Sequence, residues 1–184
     1  QRQQNSAAEA EELQDTLLDA ALSHVAFEGW SEATFEAAVA DSGGNAGLAS
    51  ALFPRRSLDL AVSYHRRGDA MMLKKLAEAS LSDLRFRDKI TTAVRFRLEA
   101  VSDKEAVRRG MALFALPHHA AEGTRLVWGT ADAIWTALGD RSEDVNWYTK
   151  RASLSAVYSS TVLFWLGDDS PDQQATWEFL DRRI

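Results

Sequence analysis

Apolar residues recur along this chain at the spacing of an α-helix, in stretches that glycine and proline interrupt. Between Leu13 and Trp30 they lie three or four positions apart, which places them on one face of a helix. Gly43-Gly44 and Pro54 then mark the ends of shorter segments. The 184 residues include only three prolines. The pattern therefore predicts an all-α fold.

In the first 80 residues the pattern predicts three short helices and a longer fourth. Thr34 is the candidate N-cap of the second helix, and Asn45 is that of the third. The predicted helices are 13–30, 35–40, 45–53 and 57–79. The residues before them, 1–12, are predicted to be disordered or a linker.

Five further helices are predicted in the remainder of the chain. A capping box at Ser102–Glu105 opens one of them, and Ser170-Pro171-Asp172-Gln173 opens the last. The helix from Val145 to Leu166 is apolar over much of its circumference, which predicts a central, buried position. The predicted helices are 81–100, 102–116, 124–138, 145–166 and 170–184.

The order of the first four helices resembles the amino-terminal helix-turn-helix of TetR-type repressors. The residues that carry this resemblance are Leu17-Leu18-Asp19-Ala20-Ala21, Gly29-Trp30, Thr34, Gly43, Leu48 and Phe53-Pro54. The resemblance implies one TetR-like domain over residues 13–184. Its helix-turn-helix part would be 13–56, and its ligand-binding and dimerisation part 57–184.

The distribution of charge argues against DNA binding by this helix-turn-helix. Residues 1–70 carry five Arg or Lys and eleven Asp or Glu, so they account for the whole net charge of −6. The third helix has no cation, and only Asn45 and Ser50 could donate a hydrogen bond to DNA. Because phosphates repel an acidic surface, we expect no nucleic-acid partner.

Composition excludes several other classes. The chain has no cysteine, so it has no disulfide, no catalytic thiolate and no cysteine-ligated metal. Adjacent histidines such as His118-His119 diverge and make a poor metal pair, and no nucleophile–base motif or phosphate-binding glycine loop is present. We expect no catalytic residue, no metal site and no cofactor. No apolar run reaches the roughly 20 residues that span a bilayer.

Two Arg-Phe-Arg triplets, at residues 85–87 and 95–97, lie on the helix predicted at 81–100. One interpretation is a solvated face whose arginine stems lie along the surface. The alternative is contact with acidic lipid headgroups, helped by Phe86 and Phe96.

The last 70 residues contain four distinctive strings: Gly139-Asp-Arg-Ser-Glu-Asp-Val-Asn-Trp-Tyr-Thr-Lys-Arg-Ala152, Ala131-Asp-Ala-Ile-Trp135, Asp168-Asp-Ser-Pro-Asp172 and Trp177-Glu-Phe-Leu180. In these strings the chain resembles the lipid-binding accessory proteins of ubiquinone biosynthesis, a family with a TetR-like fold. The resemblance is strongest beyond residue 124 and extends over residues 13–184.

This resemblance implies a non-enzymatic homodimer that binds isoprenoid lipids or quinone intermediates and presents them to the di-iron demethoxyubiquinone hydroxylase. It implies partner-binding residues at Asp144, Asn146, Trp147, Tyr148 and Arg151. It also implies peripheral contact with the inner membrane, in the cytoplasm or on the matrix side in a eukaryote. The amphipathic helix that makes this contact in the family would follow Ile184.

A polyisoprenoid tail needs a pocket of aromatic and aliphatic side chains. By helix face, the candidate lining residues are Met111, Phe114, Leu116, Trp128, Trp135, Leu154, Tyr158 and Trp165. For each of them the alternative is a place in an ordinary packed core. Two other functions stay open: a ligand-responsive repressor whose pocket takes an inducer, and a dimeric scaffold with a filled core.

Overall fold

The computed structural model describes residues 2–184 of the chain. Over these residues it contains nine α-helices and no β-strand. The helices are α1 (Arg2–Glu28), α2 (Glu32–Asp41), α3 (Ala46–Leu52), α4 (Ser57–Glu78), α5 (Phe86–Glu99), α6 (Lys104–Phe114), α7 (Ala120–Ala137), α8 (Val145–Leu166) and α9 (Gln174–Asp181), with a 3-10 turn at Pro171–Gln173. The predicted all-α class is confirmed.

The chain divides into two compact units. The first unit extends to His65 and includes Glu105–Leu116, and the second contains Arg66–Lys104 and Pro117–Ile184. Trp30 shows why residues 105–116 belong to the first unit. Its ring packs on Tyr64 with the centroids 5.5 Å apart, and its Nε1 donates a hydrogen bond of 3.1 Å to the carbonyl of Ala106.

In the first unit two details differ from the sequence-based expectation. The predicted disordered or linker segment 1–12 is helical over its described residues 2–12, because its alanine, glutamine and glutamate residues favour helix. Ser31, not Thr34, is the N-cap of α2, and its Oγ accepts a hydrogen bond from the backbone N–H of Thr34. The predicted cap at Asn45 is confirmed, because its Oδ1 accepts from the N–H of Leu48 at 3.0 Å.

In the second unit, α9 begins four residues later than the capping box at Ser170 predicts. The carboxylate of Asp168 accepts hydrogen bonds from the backbone N–H of Ser170 and from both the N–H and the hydroxyl of Thr176. Asp172 and Gln173 have φ angles of 53° and 58°, in the left-handed region, so a regular helix cannot start before Gln174. Three other starts also differ: α5 begins at 86, α6 at 104 and α7 at 120.

Helix α8 has the predicted bounds, but only part of it is buried. Asp144 is its N-cap, and Leu154, Tyr158 and Trp165 are buried along one side. Leu163 and Phe164, in contrast, are 60% and 37% exposed. The expected central burial is therefore wrong for one face of this helix.

The second Arg-Phe-Arg triplet contains a buried cation. Arg97 is 1% exposed, and its Nε donates a hydrogen bond of 2.7 Å to Asp69, which also accepts from the hydroxyl of Thr130. Both interpretations of the triplets, a solvated face and lipid headgroups, are wrong for Arg97. Gly68 makes this burial possible, since a Cβ there would lie 2.3 Å from Nη1 of Arg97.

Candidate functional site

Three aromatic side chains of the second unit form a cluster at the start of α8. Trp147 and Tyr148 come from the first turn of α8, and Trp128 comes from α7. The ring centroids of Trp128 lie 5.9 Å from those of Trp147 and 6.5 Å from those of Tyr148, and Trp147 and Tyr148 are 4.8 Å apart, edge to face. We call these three residues the aromatic cluster.

The aromatic cluster faces solvent. Tyr148 is 64% exposed, and Trp128 and Trp147 are half-buried. Next to the cluster, Val145 is 76% exposed, and the predicted partner-binding residues Asp144 and Asn146 are also exposed. Tryptophan and tyrosine with one side open to water are frequent energetic centres of protein interfaces. Four of the five predicted partner-binding residues are therefore placed where a partner could touch them.

Arg151, the fifth, is placed beneath this surface. It is 2% exposed, and its guanidinium carbon lies 4.2 Å from the ring centroid of Trp147. Its Nε donates to Asp132 at 2.7 Å, and its Nη1 donates to Asp140 at 3.0 Å and to the carbonyl of Trp147 at 3.2 Å. Burial disfavours the charged form, but the hydrogen bonds to the two carboxylates outweigh it and raise the pKa of Arg151. Arg151 supports the surface rather than forming it.

Asp140 also holds Lys150. The ammonium of Lys150 donates 2.8 Å hydrogen bonds to Asp140 and to the hydroxyl of Ser142, and it lies 5.2 Å from the ring centroid of Trp135. Hydrogen bonds from Lys150 and then from Ser142 hold the pKa of Asp140 well below its usual range. Asp140, Glu143 and Asp144 all lie shortly before Lys150 and Arg151 in the sequence, which does not distinguish them as partners. The structure selects Asp140 and adds Asp132, whose signal in the sequence is its place in the Ala131–Trp135 string that carries the family resemblance.

The predicted lipid-lining residues are divided between the two units. Leu154, Tyr158 and Trp165 are buried in the second unit, and Trp128 and Trp135 are half-buried there. The other three, Met111, Phe114 and Leu116, belong to the first unit. The second unit contains a cavity of about 260 Å³, which Trp165 lines. The remaining lining residues are Leu98, Glu99, Ser102, Lys104, Gln173 and Trp177.

One side of this cavity carries a fixed cation. The ammonium of Lys104 donates hydrogen bonds to the carbonyl of Asp168 and to Oε1 of Gln173, and it lies 5.1 Å from the ring centroid of Trp165. The cavity therefore combines three apolar side chains, Leu98, Trp165 and Trp177, with four polar or charged ones.

The two arginines that follow α3 in the first unit, Arg55 and Arg56, are already paired with carboxylates. Arg55 bonds to Asp59 through Nε at 2.7 Å. Arg56 forms an ion pair with Glu32, donates to the hydroxyl of Ser50 and lies over the ring of Phe35. The hydrogen bond to Glu32, followed by its charge, raises the pKa of Arg56 against the effect of burial. These contacts disfavour the repressor alternative, since phosphate binding would have to displace carboxylates.

Among residues 2–184, no three His, Asp or Glu side chains lie close enough together to hold a metal ion. Over the same residues, no helix has both the length and the apolar character that a membrane crossing requires.

A family model and several known proteins are similar to this chain, and they share one name. Residues 120–184 match the family model COQ9. The human protein named ubiquinone biosynthesis protein COQ9, mitochondrial, is 32% identical over 188 residues, which cover 95% of this chain and 57% of that protein. The Drosophila melanogaster protein of the same name is 33% identical over 184 residues, which cover 96% of this chain and 56% of that protein. The chain thus spans little more than half the length of these relatives.

The fold of this chain is also similar to that of a protein of known structure. A TetR transcriptional regulator from Nitrosomonas europaea ATCC 19718 aligns with a TM-score of 0.78 and 21% identity, covering 94% of this chain and 95% of the regulator. At that identity the likeness concerns the fold alone. The chain is therefore a homologue of the COQ9 proteins, and it has a TetR-like fold.

Proposed function

We propose that the chain acts in ubiquinone biosynthesis as a non-catalytic accessory protein, which binds isoprenoid lipids or quinone intermediates and presents them to the di-iron demethoxyubiquinone hydroxylase. The observation that carries this proposal is the exposed aromatic cluster at the start of α8, within the residues that match the COQ9 family model. The names of the relatives support the pathway and a mitochondrial location, and peripheral contact with the inner membrane is part of this proposal.

The cavity beside Trp165 is the proposed entry point for the lipid ligand. Its volume of about 260 Å³ is just below the ~300–1,000 Å³ of typical ligand pockets. It would therefore hold one part of an isoprenoid molecule, either the ring or the first units of the tail. Burial of apolar surface, at about 25 cal/mol per Å², would provide most of the affinity.

Mass spectrometry of an organic extract tests lipid binding. We expect natively purified protein to carry polyprenyl quinones or their precursors at near-stoichiometric amounts. The variant Ser102→Phe places a ring in the cavity from its exposed rim, and we expect it to lower the bound lipid at least fivefold. Ser82→Phe, at an exposed serine of the same unit outside the cavity lining, should leave the amount of bound lipid unchanged.

Two results would contradict this part of the proposal. An extract with no isoprenoid above that of a mock purification would reject lipid binding and favour the filled-core scaffold. Equal lipid in Ser102→Phe and Ser82→Phe would place the lipid somewhere other than this cavity.

The exposed face of α8 supports homodimer formation as part of the same proposal. From Ala152 to Leu166 the helix has no charged residue, although Ala156, Leu163 and Phe164 are exposed. Depletion of charge is typical of the centre of a protein interface, and a second copy of the chain offers a matching uncharged surface.

Light scattering tests the dimer. We expect a mass of twice the 20.4 kDa of one chain, and a shift towards one chain mass in Ala156→Arg. Ala77→Arg, at an exposed alanine of α4, is the matched control. A single-chain mass for the wild type at micromolar concentration would exclude this arrangement.

A further inference from the structure

One carboxylate in the second unit binds two cations, and each cation lies over a tryptophan ring. Oδ2 of Asp140 accepts from Arg151, whose guanidinium lies over Trp147. Oδ1 accepts from Lys150, whose ammonium lies over Trp135. The side chain of Asp140 is only 4% exposed, so water competes little for these bonds.

The ring of Trp135 is fixed at a second point by α8, because its Nε1 donates a 3.1 Å hydrogen bond to the carbonyl of Lys150. The guanidinium of Arg151 is held beside Trp147 by a further bond, since its Nη1 donates to the backbone carbonyl of Trp147 one turn earlier on the same helix. The ring of Trp135 also packs on Phe86, which is 44% exposed, with the centroids 5.3 Å apart. The two rings are therefore linked through Asp140 and through consecutive residues of α8.

We propose that Asp140 is a positioning residue, which holds Trp147 and Trp135 in one fixed orientation before any partner arrives. A side chain that is already ordered loses less conformational entropy on binding, and this raises affinity without any new contact. Asp140 itself makes no contact with the partner in this scheme. Its effect on hydroxylase affinity rests on the proposed function, whereas its effect on the two rings does not.

A capping role alone would not require this arrangement. Asp140 does accept hydrogen bonds from the N–H and hydroxyl of Ser142, which would by themselves order the loop before α8. The loop role predicts a change in stability when the charge is removed. The positioning role predicts, in addition, a change at two particular tryptophans.

Fluorine NMR of the full chain labelled with 5-fluorotryptophan separates these roles. The chain has six tryptophans, and single Trp→Phe variants assign their resonances. In Asp140→Asn we expect the resonances of Trp135 and Trp147 to shift or broaden, while that of Trp30, in the first unit, stays in place. In Lys150→Met, which leaves the pairing of Asp140 with Arg151 intact, only Trp135 should respond. Asp88→Asn removes the exposed partner of Arg85 in the same unit and is the control.

Binding to the purified hydroxylase is measured on the same samples. We expect Asp140→Asn to weaken binding at least tenfold and Asp88→Asn to leave it unchanged. Unchanged tryptophan resonances in both Asp140→Asn and Lys150→Met would overturn the proposal, whatever the affinity. Shifted resonances with wild-type affinity would overturn its functional part. Shifted resonances in a protein whose wild type does not bind the hydroxylase would support positioning and reject the proposed function instead.

Discussion

Arg97→Met is expected to lower the free energy of unfolding by about 3–5 kcal/mol, the usual cost of removing one partner from a buried ion pair. Arg97 is 1% exposed, and its bonded carboxylate, Asp69, is mostly buried, with 18% of its side chain accessible. Without the guanidinium, Asp69 keeps the hydroxyl of Thr130 at 2.7 Å but loses its cation. Urea denaturation followed by circular dichroism measures the change.

Arg95→Met is the matched control for this prediction. Arg95 lies two residues away on the same helix, and its ion pair with Glu99 is exposed on both sides. Exposed pairs contribute about 0–1 kcal/mol, so this variant should be close to wild type in stability. A loss in Arg97→Met no larger than that in Arg95→Met would show that the buried pair does not stabilise the fold.

A double variant tests whether the cost comes from leaving Asp69 without the guanidinium of Arg97. Replacing both members of a buried ion pair by apolar residues is often neutral or stabilising. We therefore expect Arg97→Met combined with Asp69→Leu to recover much of the stability that Arg97→Met loses. Additive losses in the double variant would instead assign the cost to lost packing against Gly68.

Trp147→Ala is expected to weaken hydroxylase binding by about 2–4 kcal/mol, which corresponds to roughly 30- to 1,000-fold in Kd. The ring of Trp147 contacts both other members of the aromatic cluster, and among the three it is the one that packs on the buried guanidinium of Arg151. A half-buried tryptophan with a fixed orientation has the properties of an interface hot spot. Titration calorimetry with the purified hydroxylase measures the affinity.

Phe27→Ala is the control for this measurement. Phe27 is 84% exposed and belongs to α1, in the first unit, so it matches Trp147 as an aromatic surface residue outside the aromatic cluster. Its loss should not alter hydroxylase affinity. Equal affinity of wild type and Trp147→Ala would place the docking surface elsewhere and remove the main support for the proposed function.

Features that depend on neighbouring residues could be predicted from the sequence. The N-cap at Asn45 was predicted correctly because a cap bonds backbone groups within three residues of itself, whereas the cap of α2 is Ser31 and not the predicted Thr34. The bounds of α8 follow from the charged loop before it and the apolar spacing within it. The resemblance to the family could also be recognised from the sequence, since the strings that carry it lie within residues 131–180.

The partners of buried charges could be decided only by tertiary structure. Arg97 and Arg87 are each the third residue of an Arg-Phe-Arg triplet, yet Arg97 is buried and Arg87 is exposed. The difference arises because Asp69, 28 residues away, and Gly68 offer Arg97 a carboxylate and the space for its guanidinium. In the same way, three carboxylates near α8 were equivalent in sequence, and the placement of Arg151 under Trp147 selects Asp140 together with Asp132. The energy of a charge depends on how far it is from water and which opposite charge is within about 3 Å, and helix packing sets both quantities.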